Sequence, residues 1–449
     1  MNEVGLLSIQ RGCTTLQNSS FRQLAASNMS VLLRILFADK LDEDTREPIL
    51  TFGTASGQQY GLLAPSLSFW LQMAALLVLQ SIICNVLATM VYYGIIRRRG
   101  TSTAYLTGYG FVIPFVVAMP FYLIQALDLR NACFMVAVAS TPVLLTFRCL
   151  EAMYGFSPPA VEAQITNYML YYGSVIEFVF DGKTNHAVKS TTGEALVKAR
   201  RFLAFYLFLA LLFSVLEPCS YAPIDMRPRS TGGDTGAMDA TIADFLHPGH
   251  LANNFAVAYV THVCIHTGTL GFGSIISLFA GIKTLDVANN PFFSSSSPSD
   301  FWGRRWNCLV HGVLKRGCYK PVRSMSQNAA LAAIATFVAS GVLHEYILAI
   351  ISIEGNETTA SSDGSDKSVR YGMHLAFFAY NALIFTLEHY LGEAQIFKVA
   401  GRTLHPTIIS LCVVCSVLPI AHWFTDEYKS TGFYSDYKVG FPIIVSMNR

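Results

Sequence analysis

The chain has 449 residues, of which 52% are hydrophobic and only 13% charged, and its mean hydropathy is +0.42. Soluble domains carry about 25% charged residues, so this composition points to a membrane protein. A net charge of +2 and a pI near 8.0 exclude the concentrated basic footprint of a nucleic-acid-binding domain.

Residues 1–65 are expected to be a peripheral N-terminal segment. Within them Val31, Leu32, Ile35 and Leu36 form a helical apolar stripe suited to the membrane interface. The first thirty residues lack the apolar core of a cleavable signal peptide, so insertion is expected to rely on the first internal span. Apolar runs of membrane-spanning length, ~20 residues, then centre on 66–96, 103–127, 131–147, 202–216, 251–282, 328–353, 371–387 and 404–424. The fourth is short, and the fifth is long enough to hide a break at GTLGFGS. The expected fold is therefore an all-α polytopic bundle of about eight to ten spans. Residues 66–425 form its membrane-embedded domain and 426–449 a short C-terminal tail.

Lys and Arg collect on alternate connections, as they do on the cytosolic side of membrane proteins. Arg97, Arg98 and Arg99 follow the first span, residues 148–201 hold six bases, and residues 283–323 hold seven against Asp286 and Asp300. The connections 217–250 and 354–370 lean acidic, with five and four acids against two bases each. The acidic loops are assigned to the lumen, where Asn356-Glu357-Thr358 is a glycosylation sequon. The stretches 227–239 and 355–367 read as flexible lumenal connectors. Ten scattered cysteines read as reduced thiols; Cys412 and Cys415 form a CxxC, but within an apolar run that suits neither zinc nor redox work.

The cytosolic segment 283–325 contains SDFWGRRWN, Ser299 to Asn307. Across 301–319 apolar residues stand at 302, 306, 309, 310, 313 and 314, the spacing of one face of an amphipathic helix. Arg304, Asn307, His311 and Lys315 recur at intervals of three and four and form a second line. A surface helix resting on anionic headgroups explains the arginines and tryptophans. A ligand site explains Asn307 as well: arginines offer forked donors to phosphate, tryptophan walls a ring or chain, and the carboxamide directs one hydrogen bond.

In the span that follows, His344 lies ~24 Å along the helix from Asn328 and ~14 Å from Ile353, well inside the bilayer. Thr336, Ser340 and His344 make a polar line at i, i+4, i+8. An ionisable group at that depth costs ~2.5–3.5 kcal/mol, so the adjacent His344 and Glu345 require a cavity. An unprotonated imidazole facing that cavity is the form that acts as general base. Leu348 rules out an HExxH metal motif, and His262 with His266 has no third ligand in its span.

The DFWGRRWN signature, the trailing YKPV of Tyr319 to Val322, and a histidine 37 residues beyond the asparagine resemble the membrane-bound O-acyltransferase superfamily. Within it the similarity is to the wax synthase branch and covers about Asn290 to Leu348. The related diacylglycerol and sterol acyltransferases share the HEY ending but add an FYxDWWN stretch that this chain lacks. The resemblance implies that Asn307 and His344 are the active-site pair of an endoplasmic reticulum enzyme moving a fatty acyl group from acyl-CoA to a lipid alcohol. It implies an intramembrane active-site cavity, no acyl-enzyme, and no cofactor or metal, with acyl-CoA itself the substrate. Trp302, Arg304, Arg305, Trp306, His311 and Ser340 would hold the acyl-CoA, and Glu345 would orient the acceptor or the base. A diacylglycerol, sterol or terpenoid acceptor stays open, as does a monomer or homo-oligomer. A transporter with an intramembrane His/Glu pair is the reading from another class.

Overall fold

The computed structural model describes residues 37, 46–55, 57–224, 245–353, 369–391 and 403–447. The stripe at Val31 to Leu36, the sequon at Asn356 and the stretches 227–239 and 355–367 lie outside them. The helices of the bundle are α1 (Leu67–Gly94), α2 (Ile113–Leu127), α3 (Ala132–Tyr154), α4 (Thr192–Leu216), α5 (Pro248–Ile275), α6 (Cys308–Leu314), α7 (Ala329–Ile351), α8 (Met373–Leu391), α9 (Pro406–Cys415), α10 (His422–Ser430) and α11 (Phe433–Lys438).

Among the described residues six helices are long and apolar enough to cross a membrane, or seven if the bent pair Pro406–Ile420 and His422–Ser430 is one span. The expected count of eight to ten is therefore higher than the described residues provide. The 371–387 run is helical as α8, but it carries His374, Asn381, Glu388 and His389. The 404–424 run bends by 57° between its two helices. The fifth run is unbroken: α5 continues to Ile275 and then through a π turn, Ile276–Ala280. The short fourth run is lengthened by its basic approach, because Thr191 and Glu194 form a capping box that starts the helix at Thr192.

Polar caps set the other starts. Ser66 accepts from Phe69 N–H, Asn131 from Cys133 and Phe134, and Asn328 from Leu331. Helix α3 lies at the centre, with 67% of its apolar window buried against 17% for α4 at the rim. It packs against α2, α7 and the helical segment that follows Cys308.

Three short strands, β1 (Pro48–Gly53), β2 (Gln59–Leu63) and β3 (Ile443–Ser446), form an antiparallel sheet in that order. It joins residues 48–63 to residues 443–446. Residues 426–447, expected as a tail, are integral to the bundle: Tyr434, Tyr437 and Phe441 are buried, and Gly440 O accepts from Trp70 Nε1 and Tyr206 Oη at 2.8 Å each. Their aromatic side chains supply the apolar surface that seals the space between α1, α3 and α4.

The 283–325 segment docks on α3 at Gly317, where an added Cβ would stand 2.5 Å from the Phe147 carbonyl oxygen. Gly317→Ala is expected to cost ~1–3 kcal/mol by overpacking against backbone, seen as a lower melting temperature of the detergent-solubilised protein. Gly193→Ala, which meets open space at a helix start, should leave the melting temperature unchanged or higher.

Candidate active site

Asp300 organises the basic segment. It is nearly fully buried and accepts from Arg304 Nε and Arg305 Nε at 2.7 Å each, and from Ser296 N at 3.0 Å. Burial opposes its charge, but Arg305, the Ser296 amide and Arg304 outweigh that and hold the carboxyl well below the usual carboxylate range. Arg305 also donates to Asn289 O at 3.3 Å and is not among the residues that line the cavity described below. Arg304 differs: its Nε is held by Asp300, yet its side chain is 73% exposed and reaches the cavity mouth. Ser299 donates through its N–H and hydroxyl to Glu388 at 2.7 Å each, fixing the start of the segment to α8.

The segment is not one continuous helix from 301 to 319. Phe301–Arg305 forms a π turn, and the backbone then extends at Asn307. A short polar side chain competes there for the free N–H groups of the next helix. The Asn307 Oδ1 accepts from Val310 N at 3.0 Å, so Asn307 is the N-cap of α6. That bond fixes the carboxamide and leaves its Nδ2 available as a donor. Trp306 stacks on Phe301 at 5.5 Å and lies 5.8 Å from Trp302, whose Nε1 donates to Asn381 Oδ1 at 3.0 Å.

A single cavity of about 900 Å³ runs from this segment into the bundle. At its mouth stand Ser299, Arg304, Lys315, Tyr319 and His389; Trp302, Trp306, Asn307 and His311 line its wall. The polar line Thr336, Ser340 and His344 and the aromatic residues Phe424, Tyr428, Phe433 and Tyr437 line it as well. Burial, then the charges of Lys315 and Arg316, push the His311 imidazole below its ordinary range, so it lines the wall uncharged at neutral pH.

His344 stands between Phe378, stacked at 5.1 Å, and Phe424, edge-on at 4.8 Å. Its Nδ1 is 3.1 Å from Tyr428 Oη. Asn307 and His344 thus open into the same hollow, with Arg304, Trp302, Trp306, His311 and Ser340. Glu345 does not. Its Oε1 accepts from Leu375 N at 3.1 Å, the third residue of α8, so it caps a neighbouring helix. Helix geometry gives the reason: consecutive side chains diverge, and only i+3 and i+4 neighbours share a face. His262 and His266 stack on each other at 6.1 Å, with Trp306 and Phe205 as aromatic neighbours, outside the cavity lining.

Sequence reasoning missed Tyr428, His374 and Asn381. His374 Nε2 is bonded to Phe424 O at 3.0 Å, and its ring stacks with Tyr428 at 5.3 Å. Asn381 was findable as a lone amide in an apolar helix, which needs a partner. Asp300 was findable too, four residues before Arg304.

Residues 286–364 match the model of the membrane bound O-acyl transferase family. The probable long-chain-alcohol O-fatty-acyltransferase 9 of Arabidopsis thaliana is 34% identical over 87 residues, covering 18% of this chain and 25% of that protein. The acyl-CoA–sterol O-acyltransferase 1 of the same plant is 43% identical over 65 residues, covering 13% and 19%. The putative long-chain-alcohol O-fatty-acyltransferase 10 is 36% identical over 73 residues, covering 15% and 21%. The chain thus spans about a quarter or less of the length of these relatives, and the stretch that the family model matches carries Asn307 and His344. That stretch is thus similar to the membrane bound O-acyl transferase family and to relatives named long-chain-alcohol O-fatty-acyltransferases.

Proposed function

We propose that the protein is an acyl-CoA-dependent O-acyltransferase of the endoplasmic reticulum membrane that esterifies a long-chain fatty alcohol to a wax ester. The observation that carries the reading is the one cavity shared by the Asn307 carboxamide and the His344 imidazole. The fatty-alcohol acceptor rests on the relatives named for that activity.

The acyl-CoA phosphates would sit at the mouth, where Arg304 and Lys315 offer cations. The thioester would pass between Trp302 and Trp306, with the acyl chain among the apolar side chains of the bundle. His344 takes the proton from the alcohol as its oxygen bonds to the thioester carbon. Asn307 Nδ2 donates to the oxygen that gains negative charge. The C–S bond then breaks, and the leaving thiolate takes the proton back from the imidazole. The products are the ester and free CoA, and no covalent enzyme intermediate forms.

A sterol acceptor is the second reading, supported by the 43% identity to a sterol acyltransferase over 65 residues. Microsomes from cells expressing the chain, given labelled palmitoyl-CoA with hexadecanol or a sterol, decide between them. Wax ester is expected to predominate; sterol ester alone would overturn the acceptor.

His344→Ala should reduce product to background in that assay, and unchanged turnover would remove the base from the scheme. Asn307→Asp separates the two uses of the carboxamide. The carboxylate keeps an acceptor for Val310 N–H but has no donor, so the protein should express and melt like the parent. Its kcat should fall roughly 10²–10³-fold through loss of one oxyanion donor, read in the same assay. A wild-type rate would show that Asn307 only caps α6.

A further inference from the structure

A neutral imidazole carries one N–H, and the partner of one ring nitrogen decides which nitrogen is left to accept a proton. Around His344 the choice of partners is narrow. Phe378 lies against one face and Phe424 meets the ring edge-on, neither offering a polar atom. Among the described residues the one hydrogen bond of the ring is Nδ1 to Tyr428 Oη, 3.1 Å.

Tyr428 comes from a distant part of the chain. Helix α10 turns inward after the 57° bend and brings its last turn beneath His344. The phenol is buried and stacked on His374 at 20° between planes, and His374 is itself bonded to Phe424 O. The next residue toward the N-terminus, Glu427, accepts from Arg370 N at 3.1 Å and Arg370 Nε at 3.0 Å, which ties α10 to the approach of α8. The hydroxyl thus has little freedom to leave the imidazole.

We propose that Tyr428 is a positioning residue for His344: its oxygen accepts Nδ1–H and so fixes the tautomer whose Nε2 lone pair faces the acceptor alcohol in the cavity. The proposal rests on the acyl-transfer reading of that cavity. Tyr428 gains and loses no proton in the cycle. The alcohol proton passes to Nε2, the alcohol oxygen bonds to the thioester carbon, the C–S bond breaks, and the thiolate takes the proton from Nε2. Throughout, Nδ1–H stays on the phenol oxygen, where it also steadies the imidazolium that forms between the two transfers. The role parallels that of any group which orients a catalytic histidine through its far nitrogen.

Tyr428→Phe deletes this acceptor while keeping the ring that stacks on His374. With palmitoyl-CoA and hexadecanol, kcat should fall roughly 10- to 100-fold while both KM values change less than about 3-fold, since only the base is affected. With 2,2-difluorohexadecanol, whose hydroxyl is more acidic and needs less help from a base, the ratio of wild-type to variant kcat should shrink several-fold. Phe424→Leu disturbs the same packing without touching the hydrogen bond, and its loss should be equal for the two alcohols. A Tyr428→Phe enzyme with wild-type kcat, or one whose loss is the same for both acceptors, overturns the proposal. His344→Ala in the same series keeps the two questions apart. If the wild-type chain forms no ester the acyl-transfer reading fails, and if His344→Ala is active His344 is not the base; if His344→Ala is inactive while Tyr428→Phe is fully active, only the role of Tyr428 fails.

Discussion

The architecture of the site depends on one buried ion pair, Glu151 with Arg316. Glu151 sits without exposure near the end of α3, where a lone carboxylate would be strongly disfavoured, and Arg316 Nε donates to it at 2.8 Å. Tyr171 donates to the same carboxylate and accepts from Arg316 Nη2 at 2.9 Å. Arg148, fully buried, lies 4.5 Å from the Tyr171 ring and donates to the carbonyls of Tyr172 and Ser174 at 2.8 Å. Removing one partner of such a pair leaves an uncompensated charge and costs about 3–5 kcal/mol. The pair and the adjacent Gly317 contact hold the segment after Asn307 flat against the central helix. Without that docking, Asn307, His311 and Lys315 would have no reason to face the hollow that contains His344.

A second carboxylate does related work at the other end of the segment. Asp300 gathers Arg304, Arg305 and the Ser296 amide, while Glu388 takes the Ser299 N–H and hydroxyl. The basic stretch thereby becomes a shaped element rather than a loose charged surface. Both of its arginines bond Asp300, and Arg304 also lines the cavity. The segment is thus both the roof of the cavity and its source of positive charge, which fits a donor whose phosphates stay outside while its acyl chain goes in.

What could be read from the sequence is what local periodicity encodes. The i, i+4, i+8 line of Thr336, Ser340 and His344 reaches the cavity wall because it lies along one face of α7, and Arg304, Asn307, His311 and Lys315 line the cavity too, although the helix that their spacing implied is broken at Asn307. Eight apolar runs marked eight helical stretches for the same reason. Adjacency misled: Glu345, next to His344, points to another helix. Long-range partners were invisible. Tyr428 lies 84 residues from His344, Glu151 165 from Arg316, and no spacing rule connects them. The C-terminal stretch read as a tail because its polar residues interrupt the hydropathy, yet its aromatics fill the core beside α1.

The central claim is that the thioester is brought between the Asn307 carboxamide and the His344 imidazole inside the bundle. A structure of the full chain with a non-hydrolysable thioether analogue of palmitoyl-CoA tests it most directly. The account predicts nucleotide density outside the Arg304 and Lys315 mouth, an alkyl chain within the bundle, and the sulfur between the two side chains. Density for the chain along the outer surface of the helices, with the cavity around His344 empty, would contradict it.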